Sequence, residues 1–206
     1  MSNKIITISR EFGSGGRLIG KKLAEEMGVP YYDKNILDHI AEENGYSVEM
    51  IEEDERKAKN GFFYSLANAF GAAGYGPDTL SINEKFFIAQ FEYILKLAEE
   101  GNGGVIVGRC ADYVLRDFKD AVNVFVYADE ESKFQRATEV YGLDGEDVKT
   151  YMGDLDKARS NYYKYHTGQK WGETKNYHLS IDSSDLDTDD IARLILDYVK
   201  IRYKED

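Results

Sequence analysis

The sequence predicts an α/β protein of three layers, α/β/α, in which a five-stranded parallel sheet lies between helices. Short apolar runs, each long enough for one buried strand, alternate along the chain with segments that show helical spacing of apolar residues. A glycine-rich turn, Gly13 to Gly16, joins the first apolar run directly to the first helical segment. Because strands that alternate with helices form parallel sheets covered on both faces, we expect all five strands to run in one direction.

The N-terminal segment supplies the first strand, the first helix and the second strand. Ile5 to Ser9 contains a short apolar run, and we expect it to form the central strand. Apolar residues at helical spacing follow the glycines, and a Gly-Val-Pro sequence at 28–30 ends that helix. Tyr31 to Asp33 then forms a second short strand that ends in a carboxylate.

The next part of the chain is predicted to be mainly helical. Lys34 to Lys59 shows helical spacing, and Ser81 with Glu84 forms a capping box for a helix that runs to Ala98. Between them, the stretch from Gly61 to Pro77 mixes aromatic residues with glycines and fits neither a helix nor a strand. Either a flexible cover over a pocket or a surface that faces a partner would explain it.

The C-terminal half supplies the other three strands and three further helices. The strands are predicted at Val105 to Val107, Val122 to Val126 and Leu179 to Ile181. The helices are predicted from Asp129 through Tyr141, with Asp129 as the cap, from about Asp144 to Tyr165, and from Ile191 to Val199. With 206 residues and no clear linker, residues 1–206 are predicted to form one domain.

The turn between the first strand and the first helix is a predicted phosphate site. Gly13, Gly15 and Gly16, with Ser14 among them, allow backbone N–H groups to turn toward a ligand. The start of the helix adds unpaired donors and the positive end of its dipole. Arg17 supplies a permanent charge. The alternative is an ordinary turn with a solvated arginine, but the coincidence of three glycines and a cation favours phosphate.

This loop departs from a Walker A loop, which reads GxxxxGK[ST]. Arg17 follows the last glycine where that motif has lysine, and Leu18 stands where it has the hydroxyl that holds Mg²⁺. Neither plausible alignment supplies the first glycine of the motif. Since an arginine binds two phosphate oxygens at once, Arg17 can replace the lysine as a phosphate donor.

Charged residues follow four of the predicted strands. Ligands of parallel sheets bind beyond the carboxyl ends of the strands. Arg17 follows the first strand, Asp33 ends the second, and Arg109 follows the third. Lys133 and Arg136 lie on the helix after the fourth. We therefore expect these side chains to share one site.

A basic segment stands out within an acidic chain. Residues 157–175 contain five lysine or arginine residues and one glutamate, with tyrosine and tryptophan between them. One interpretation is a solvated helix end whose aromatic residues lie in the core. The cluster at the strand ends favours the other, a basic lid that closes over phosphates and excludes water. We place the predicted lid at 144–175 and expect residues 157–175 to be more mobile without ligand than with it.

The composition limits the classes of partner. A net charge of −12 argues against a broad surface for nucleic-acid polymers or anionic membranes. No stretch has the apolar length of a membrane span or the pattern of a signal peptide, so the prediction is a cytoplasmic protein. The single cysteine, Cys110, fits a reducing compartment and is interpreted as a small buried residue. Asp112 and Asp117 are interpreted as exposed charges on a helix.

Three stretches of the sequence resemble the cytidylate kinase-like family, relatives of bacterial cytidylate kinase among the P-loop nucleoside monophosphate kinases. They are ITISREFGSGGRLIGKKLAEEMGVPYYD, then GVIVGRCADYVL, and finally DKARSNYYKYHTGQKWG followed by YHLSIDSS. The resemblance covers nearly the whole chain. It implies a fold like that of the P-loop nucleoside monophosphate kinases, with residues 34–100 as a helical insertion on the acceptor side and a helical lid.

The resemblance implies an acceptor site. Gly108-Arg109 matches the first two positions of a Gly-Arg-Asp that helps to hold the nucleotide substrate in cytidylate kinases, and Cys110 replaces the aspartate. Asp156 and Arg159 have the spacing of a lid Asp-x-x-Arg that touches the substrate's sugar and phosphate in that family. Asp33 resembles the acid at the end of the second strand.

The resemblance also implies a donor site. Lys133 and Arg136 resemble the arginines of the helix after the fourth strand, which would balance transition-state charge. Arg17 and the loop amides would hold the donor phosphates. When the helices are aligned, Gly16 falls opposite the expected lysine, one place before Arg17. Asp33 is a candidate for a contact to Mg²⁺ through water.

The implied activity is NTP-dependent phosphoryl transfer to a nucleoside monophosphate, cytidylate-like, or to a similar small phosphate acceptor. ATP would be the phosphoryl donor, and Mg²⁺ would bridge its phosphates. The alternative is a nucleotide-binding sensor or interaction domain that has lost kinase activity, which the missing lysine and hydroxyl favour. Expected partners are a nucleotide or small phosphorylated substrate, and neither a nucleic-acid polymer nor a membrane. The sequence leaves the oligomeric state open.

Overall fold

A five-stranded parallel sheet forms the centre of the computed structural model, which describes residues 3–33, 35–44, 82–145 and 147–204. The strands are β1 Ile5–Arg10, β2 Tyr31–Tyr32, β3 Gly104–Val107, β4 Ala121–Tyr127 and β5 Leu179–Asp182. Their order is β2–β3–β1–β4–β5, and every neighbouring pair is parallel. The prediction of five parallel strands with the first strand in the middle is confirmed.

The central strand β1 is covered on both faces. Ile8 pairs with Val107 of β3 on one side and with Val124 of β4 on the other. All residues from Ile5 to Ser9 are buried, so side chains on both faces of the sheet are shielded from water. This burial on two faces is what the three-layer α/β/α arrangement requires, and it explains why the strand is apolar without alternation.

Helices flank the sheet and follow the predicted order along the chain. They are α1 Gly16–Met27, α2 Asn35–Asn44, α3 Ile82–Glu99, α4 Ala111–Val114, α5 Glu130–Glu139, α6 Val148–Thr167 and α7 Thr188–Tyr203. Asp129 caps α5 as predicted, because its side chain accepts a hydrogen bond of 2.7 Å from the amide of Ser132. The α6 helix begins later than the predicted Asp144, since Gly145 has a φ of +105° that a helix does not allow.

The main core joins the sheet to α1 and α7. Apolar side chains of the three central strands pack against Ile19 and Leu23 of α1 and against Ile191 and Ile195 of α7, and all four helical residues are fully buried. Packing of this kind holds the start of α1 at a fixed position beyond the end of β1. The glycine loop between them is therefore anchored at both ends.

The chain divides into two compact units. One contains Met1–Asp33 and Ile94–Asp206, and the other is Lys34–Tyr93. Within the second, His39 stacks on Tyr93 with a ring separation of 5.8 Å. The aromatic stretch from Gly61 to Pro77, the predicted helix beyond residue 44, and Ser81 of the predicted capping box lie outside the described residues. Across the described ranges, no helix combines the length and apolarity that a membrane crossing needs.

A buried polar network crosses the sheet below the strand ends. Thr7 Oγ1 donates a hydrogen bond of 2.8 Å to Asn123 Oδ1, and Asn123 Nδ2 donates one of 3.1 Å to the carbonyl of Asp112. The backbone N–H of Asn123 donates a hydrogen bond of 2.9 Å to His178 Nδ1. These bonds fix β1, β4 and α4 to one another, so the turn after β3 is held against the central strands.

The interpretation of Asp112 as an exposed charge was wrong. Asp112 is only 3% exposed, and its Oδ2 accepts a hydrogen bond of 2.6 Å from the Tyr163 hydroxyl of α6. Burial raises the pKa of Asp112 to about 6, although the Tyr163 hydrogen bond opposes the rise. The α4 helix has only four residues, too few to show which face is buried. Asp117, by contrast, is exposed as predicted, although it lies in the turn after α4 and not on a helix.

Candidate active site

The loop from Glu11 to Gly15 connects β1 to α1 and is held by side chains of other elements. The amide of Phe12 donates a hydrogen bond of 2.7 Å to Asp156 Oδ1 of α6. The carbonyl of Ser14 accepts one of 2.7 Å from Ser183 Oγ, just after β5, and Ser14 Oγ donates one of 2.9 Å to the carbonyl of Glu11. These bonds define the shape of the loop from both of its sides.

Several amides of this loop have no protein acceptor. Gly13 and Gly15 have φ values of +77° and +80°, which turn the backbone as an anion-binding nest requires. Within the described residues, the amides of Gly13, Gly15, Gly16 and Arg17 make no hydrogen bond to the protein. Amides grouped at a helix start attract negatively charged oxygens. The loop thus has the geometry that the predicted phosphate site needs, and occupation by phosphate stays a prediction.

The two predicted cations of α5 lie at the loop and contact it directly. Arg136 donates hydrogen bonds to the carbonyl of Gly13 at 2.5 Å and to the carbonyl of Ser183 at 3.2 Å. Lys133 Nζ lies 3.1 Å from Glu11 Oε2 and 3.9 Å from Asp156 Oδ2. In this structure both cations stabilise the loop. To stabilise transition-state charge as predicted, Lys133 and Arg136 would have to leave their present partners in the protein and contact a ligand.

Arg17 pairs with Asp33. Its Nε and Nη2 lie 2.6 Å and 2.5 Å from Asp33 Oδ2, and the Arg17 side chain is half exposed while Asp33 is almost buried. The structure therefore brings together two of the residues that the strand-end rule placed in one site. The predicted contact of Arg17 with phosphate remains a prediction that needs this guanidinium to share or leave Asp33.

The turn after β3 carries Arg109 in an unusual backbone conformation. Gly108, Arg109 and Cys110 have φ values of +79°, +60° and +53°, all in the left-handed region. Such a φ costs a non-glycine residue about 1–2 kcal/mol, so the fold must fix this turn firmly. Burial raises the pKa of the Cys110 thiol well above its usual range, which makes it an inert buried residue, as predicted.

The predicted lid residues contact the rest of the site through α6. Arg159 Nη1 lies 2.9 Å from Asp156 Oδ1, the same atom that accepts the Phe12 amide. Further along, Trp171 Nε1 donates a hydrogen bond of 3.3 Å to Ser9 Oγ, and its ring meets Phe125 edge-on at 5.3 Å. Aromatic residues of this segment thus pack on the sheet. Movement of 144–175 as a lid stays a prediction.

Sequence reasoning missed Arg10, the last residue of β1. Its Nε is buried and, in the described part of the chain, has no hydrogen-bond partner. Burial lowers the pKa of Arg10 to about 9, repulsion from Arg159, Arg109 and Arg17 adds to the fall, and Asp33 opposes it. The rule that selected Arg109, a cation at the carboxyl end of a strand, applies equally to Arg10 and could have found it.

Among the described residues, the site has an excess of positive charge. Arg10 is repelled by Arg17, Arg109 and Arg159, while the carboxylates of Asp33 and Asp156 pair with Arg17 and Arg159. Such an excess, inside a protein of net charge −12, creates a local potential that attracts an anion. Phosphate groups bind well to planar guanidinium groups because two oxygens can be contacted at once.

Residues 5–185 match the family model for the cytidylate kinase-like family. The chain belongs to the cytidylate kinase-like family. A solved structure of an uncharacterized protein from Eubacterium ventriosum ATCC 27560 is 30% identical to this family member, with a TM-score of 0.72. The match covers 96% of this chain and 98% of that one. No curated protein matches the chain significantly.

Kinases of small molecules share the fold of this family member. A gluconokinase from Sinorhizobium meliloti 1021 has a TM-score of 0.57 and 15% identity, over 97% of this chain and 93% of that one. A shikimate kinase from Acinetobacter baumannii, solved with shikimate, has a TM-score of 0.52 and 16% identity, over 95% and 92%. At these identities the likeness establishes the fold alone, and that fold is the three-layer arrangement of the P-loop kinases.

Proposed function

We propose that this family member transfers a phosphoryl group from ATP, bound with Mg²⁺, to a small phosphate-carrying acceptor, with a cytidylate-like nucleoside monophosphate as the first candidate. The excess of arginine around a loop with four unpaired amides carries this proposal. The glycine loop lies beyond the carboxyl ends of the central strands, where parallel sheets bind their ligands. Membership of a kinase-like family supports the same chemistry.

The chain's own residues would position the reactants rather than react with them. Arg17 and the loop amides would hold the donor phosphates, while Arg109, Asp156 and Arg159 would orient the acceptor. Lys133 and Arg136 would reduce the charge that develops during transfer. Phosphoryl transfer needs little covalent chemistry from a protein, because positioning and charge stabilisation account for most of its acceleration.

The residues present are compatible with Mg²⁺ that arrives with ATP. Leu18 offers no hydroxyl, and Asp33 is engaged by Arg17, so phosphate and water oxygens would supply most of the ligands. Asp33 would contact the ion through water once Arg17 turns toward phosphate. The ion would supply positive charge that offsets part of the charge of the donor phosphates.

A second candidate is a nucleotide-binding sensor or interaction domain without turnover. It is favoured by the glycine at position 16, where the P-loop motif has lysine, and by the engagement of Arg17 with Asp33. Product formation from ATP with a panel of nucleoside monophosphates and small phosphorylated acceptors, measured beside binding of the same compounds, separates the two candidates. Binding without turnover on any acceptor would contradict the kinase.

Replacement of Arg17 should weaken phosphate binding in a graded way. A lysine keeps the charge but loses the planar two-oxygen contact, so Arg17→Lys should retain part of the function and Arg17→Ala much less. Loss of one charge-assisted contact should cost about 1.5–3 kcal/mol, a tenfold to hundredfold effect. A fall in kcat larger than the fall in nucleotide affinity would place Arg17 at the transition state.

Lys21→Ala is the matched control for this prediction. Lys21 is an exposed cation one turn further along α1, so its loss changes the net charge equally without touching the loop. We expect nucleotide affinity and turnover of this variant to stay close to wild type. Equal behaviour of Arg17→Ala and Lys21→Ala would mean that Arg17 is only a surface charge.

A further inference from the structure

The backbone conformation of Gly16 does not explain why this position is a glycine. It is the first residue of α1 and, unlike Gly13 and Gly15, it does not have a positive φ. Any residue can adopt this conformation, and most would favour the helix over glycine by up to about 1 kcal/mol. Something next to Gly16 must therefore exclude a side chain.

The side chain of Arg10 occupies the space next to Gly16. A Cβ at position 16 would lie 2.6 Å from Arg10 Cβ and 2.9 Å from its Cγ, closer than carbon atoms approach. At the other end of the same side chain, a Cβ at Gly108 would overlap Arg10 Nη1. The aliphatic part of Arg10 thus passes over Gly16, and its guanidinium lies against Gly108 between the ends of β1 and β3.

The guanidinium of Arg10 lies in surroundings that suit an anion. Its Nε is buried without a partner among the described residues, and the charges of Arg17, Arg109 and Arg159 repel it. The attraction of Asp33, which pairs with Arg17, offsets only part of this repulsion. Burial of a charge without a counter-charge or a hydrogen bond costs free energy. A phosphate group would offset this cost, because its oxygens accept from Nε and its negative charge reduces the repulsion among the arginines.

We propose that Arg10 is a phosphate-binding cation of the glycine loop, in addition to Arg17, and occupies the space that a lysine side chain at position 16 would need. Arg10 supplies this cation from the end of β1, and Gly16 and Gly108 make room for it. This inference rests on the proposed function only in expecting a nucleotide phosphate as the ligand. Binding and unfolding measurements test it, so a protein without turnover would contradict the proposed function and leave this inference standing.

The steric part of the proposal is tested on the unliganded protein. We expect Gly16→Ala to lower the Tm by about 5 °C in the wild-type background, because its Cβ meets Arg10 Cβ. The same change should not lower the Tm when Arg10 is glycine, and should still lower it when Arg10 is alanine, which keeps the Cβ. Equal effects of Gly16→Ala in all three backgrounds would contradict the proposed competition for space.

The binding part of the proposal uses Arg10→Met, which keeps an unbranched apolar side chain over Gly16 and removes the guanidinium group with its charge. The probes are a non-hydrolysable ATP analogue with Mg²⁺ and, separately, cytidine 5′-monophosphate, each titrated by calorimetry. We expect the affinity for the ATP analogue to fall about tenfold to hundredfold, and Arg10→Lys to lose less. An affinity within about threefold of wild type, or a loss confined to the monophosphate, would overturn the proposal.

An exchange of the two positions gives the sharpest comparison. The double variant Arg10→Gly with Gly16→Lys recreates the ordinary arrangement of a P-loop, and it should bind the ATP analogue at least tenfold more tightly than Arg10→Gly with Gly16→Ala. Both double variants carry a Cβ at position 16 and relieve the same steric conflict with Arg10, so they differ only in the part of the lysine side chain beyond Cβ that carries the charge. Equal affinities would mean that no cation is needed in this space.

Discussion

Gly13→Ala is expected to lower the free energy of unfolding by about 3 kcal/mol. Gly13 has a φ of +77°, a conformation that costs alanine about 1 kcal/mol, and its new Cβ would lie 2.6 Å from the carbonyl oxygen of Lys133. That oxygen belongs to the backbone of α5, so the helix itself has to shift and the loop with it. Urea unfolding at neutral pH measures the loss.

Gly142→Ala separates the two causes. Gly142 is exposed and has a similar φ of +69°, but a Cβ there would meet nothing within 4 Å. We expect this variant to lose only about 1 kcal/mol, the cost of the left-handed backbone. If both variants lose equally, the close approach of the loop to α5 does not contribute to stability. A larger loss at position 13 would show that the loop is fixed by direct backbone contact.

The free energy of unfolding of Asp112→Asn, relative to that of the wild type, should increase as the pH rises from about 4 to about 7. Burial raises the pKa of Asp112 from 3.8 to about 6 in the folded protein. In this range the folded state binds more protons than the unfolded state, so the wild type loses stability as the pH rises. The variant carries no titrating group there and keeps an oxygen for the Tyr163 hydroxyl. The difference should grow by about 2 kcal/mol.

Unfolding in urea at both pH values measures this difference, with Asp117→Asn as the control. Asp117 is exposed, and its surface pair with Arg116 at 3.5 Å contributes little. The control should therefore change stability by less than about 0.5 kcal/mol at either pH. A constant difference between Asp112→Asn and the wild type across the range would mean that Asp112 titrates normally.

The sheet could be predicted from the sequence because its signals are local. The strand β1 is buried on both faces, so its isoleucines on either face indicate a buried strand. Thr7 is the polar exception, and its hydroxyl donates a hydrogen bond to Asn123. The cap at Asp129 is also a local signal, since its acceptor and donor are three residues apart. The start of α6 was predicted too early, at about Asp144, because the spacing did not show that Gly145 interrupts the helix before Val148.

The candidate site could be predicted only in part. The strand-end rule selected Arg17, Asp33 and Arg109, but it did not show which of them contact each other. Arg17 contacts Asp33 although β3 lies between β1 and β2 in the sheet, and the sequence alone does not give this strand order. Arg10 was missed although the same rule applies to it, because the rule was applied to the cation after the glycines and not to the residue directly after the predicted strand. The reason for the glycine at position 16 is a contact between side chain and backbone, which no spacing in the sequence records.

The buried pair of Asp112 and Tyr163 lay beyond sequence reasoning for a different reason. The two residues are 51 positions apart, and they lie in two different stretches of the family resemblance that no spacing connects. A four-residue helix offers no periodicity, so the interpretation of Asp112 depended on its charge alone. Charged residues are usually exposed, and this one is buried because a hydroxyl from another helix meets it.

The hydrogen bond between Trp171 and Ser9 gives this protein an intrinsic optical reporter. Trp171 is the only tryptophan of the chain, and Ser9 is the residue immediately before Arg10. Its indole ring therefore touches both the strand that leads into the glycine loop and the segment predicted to move. Fluorescence of the unlabelled wild-type chain, excited selectively at tryptophan, should then follow events at the loop and in the segment in real time, without a dye or an added label.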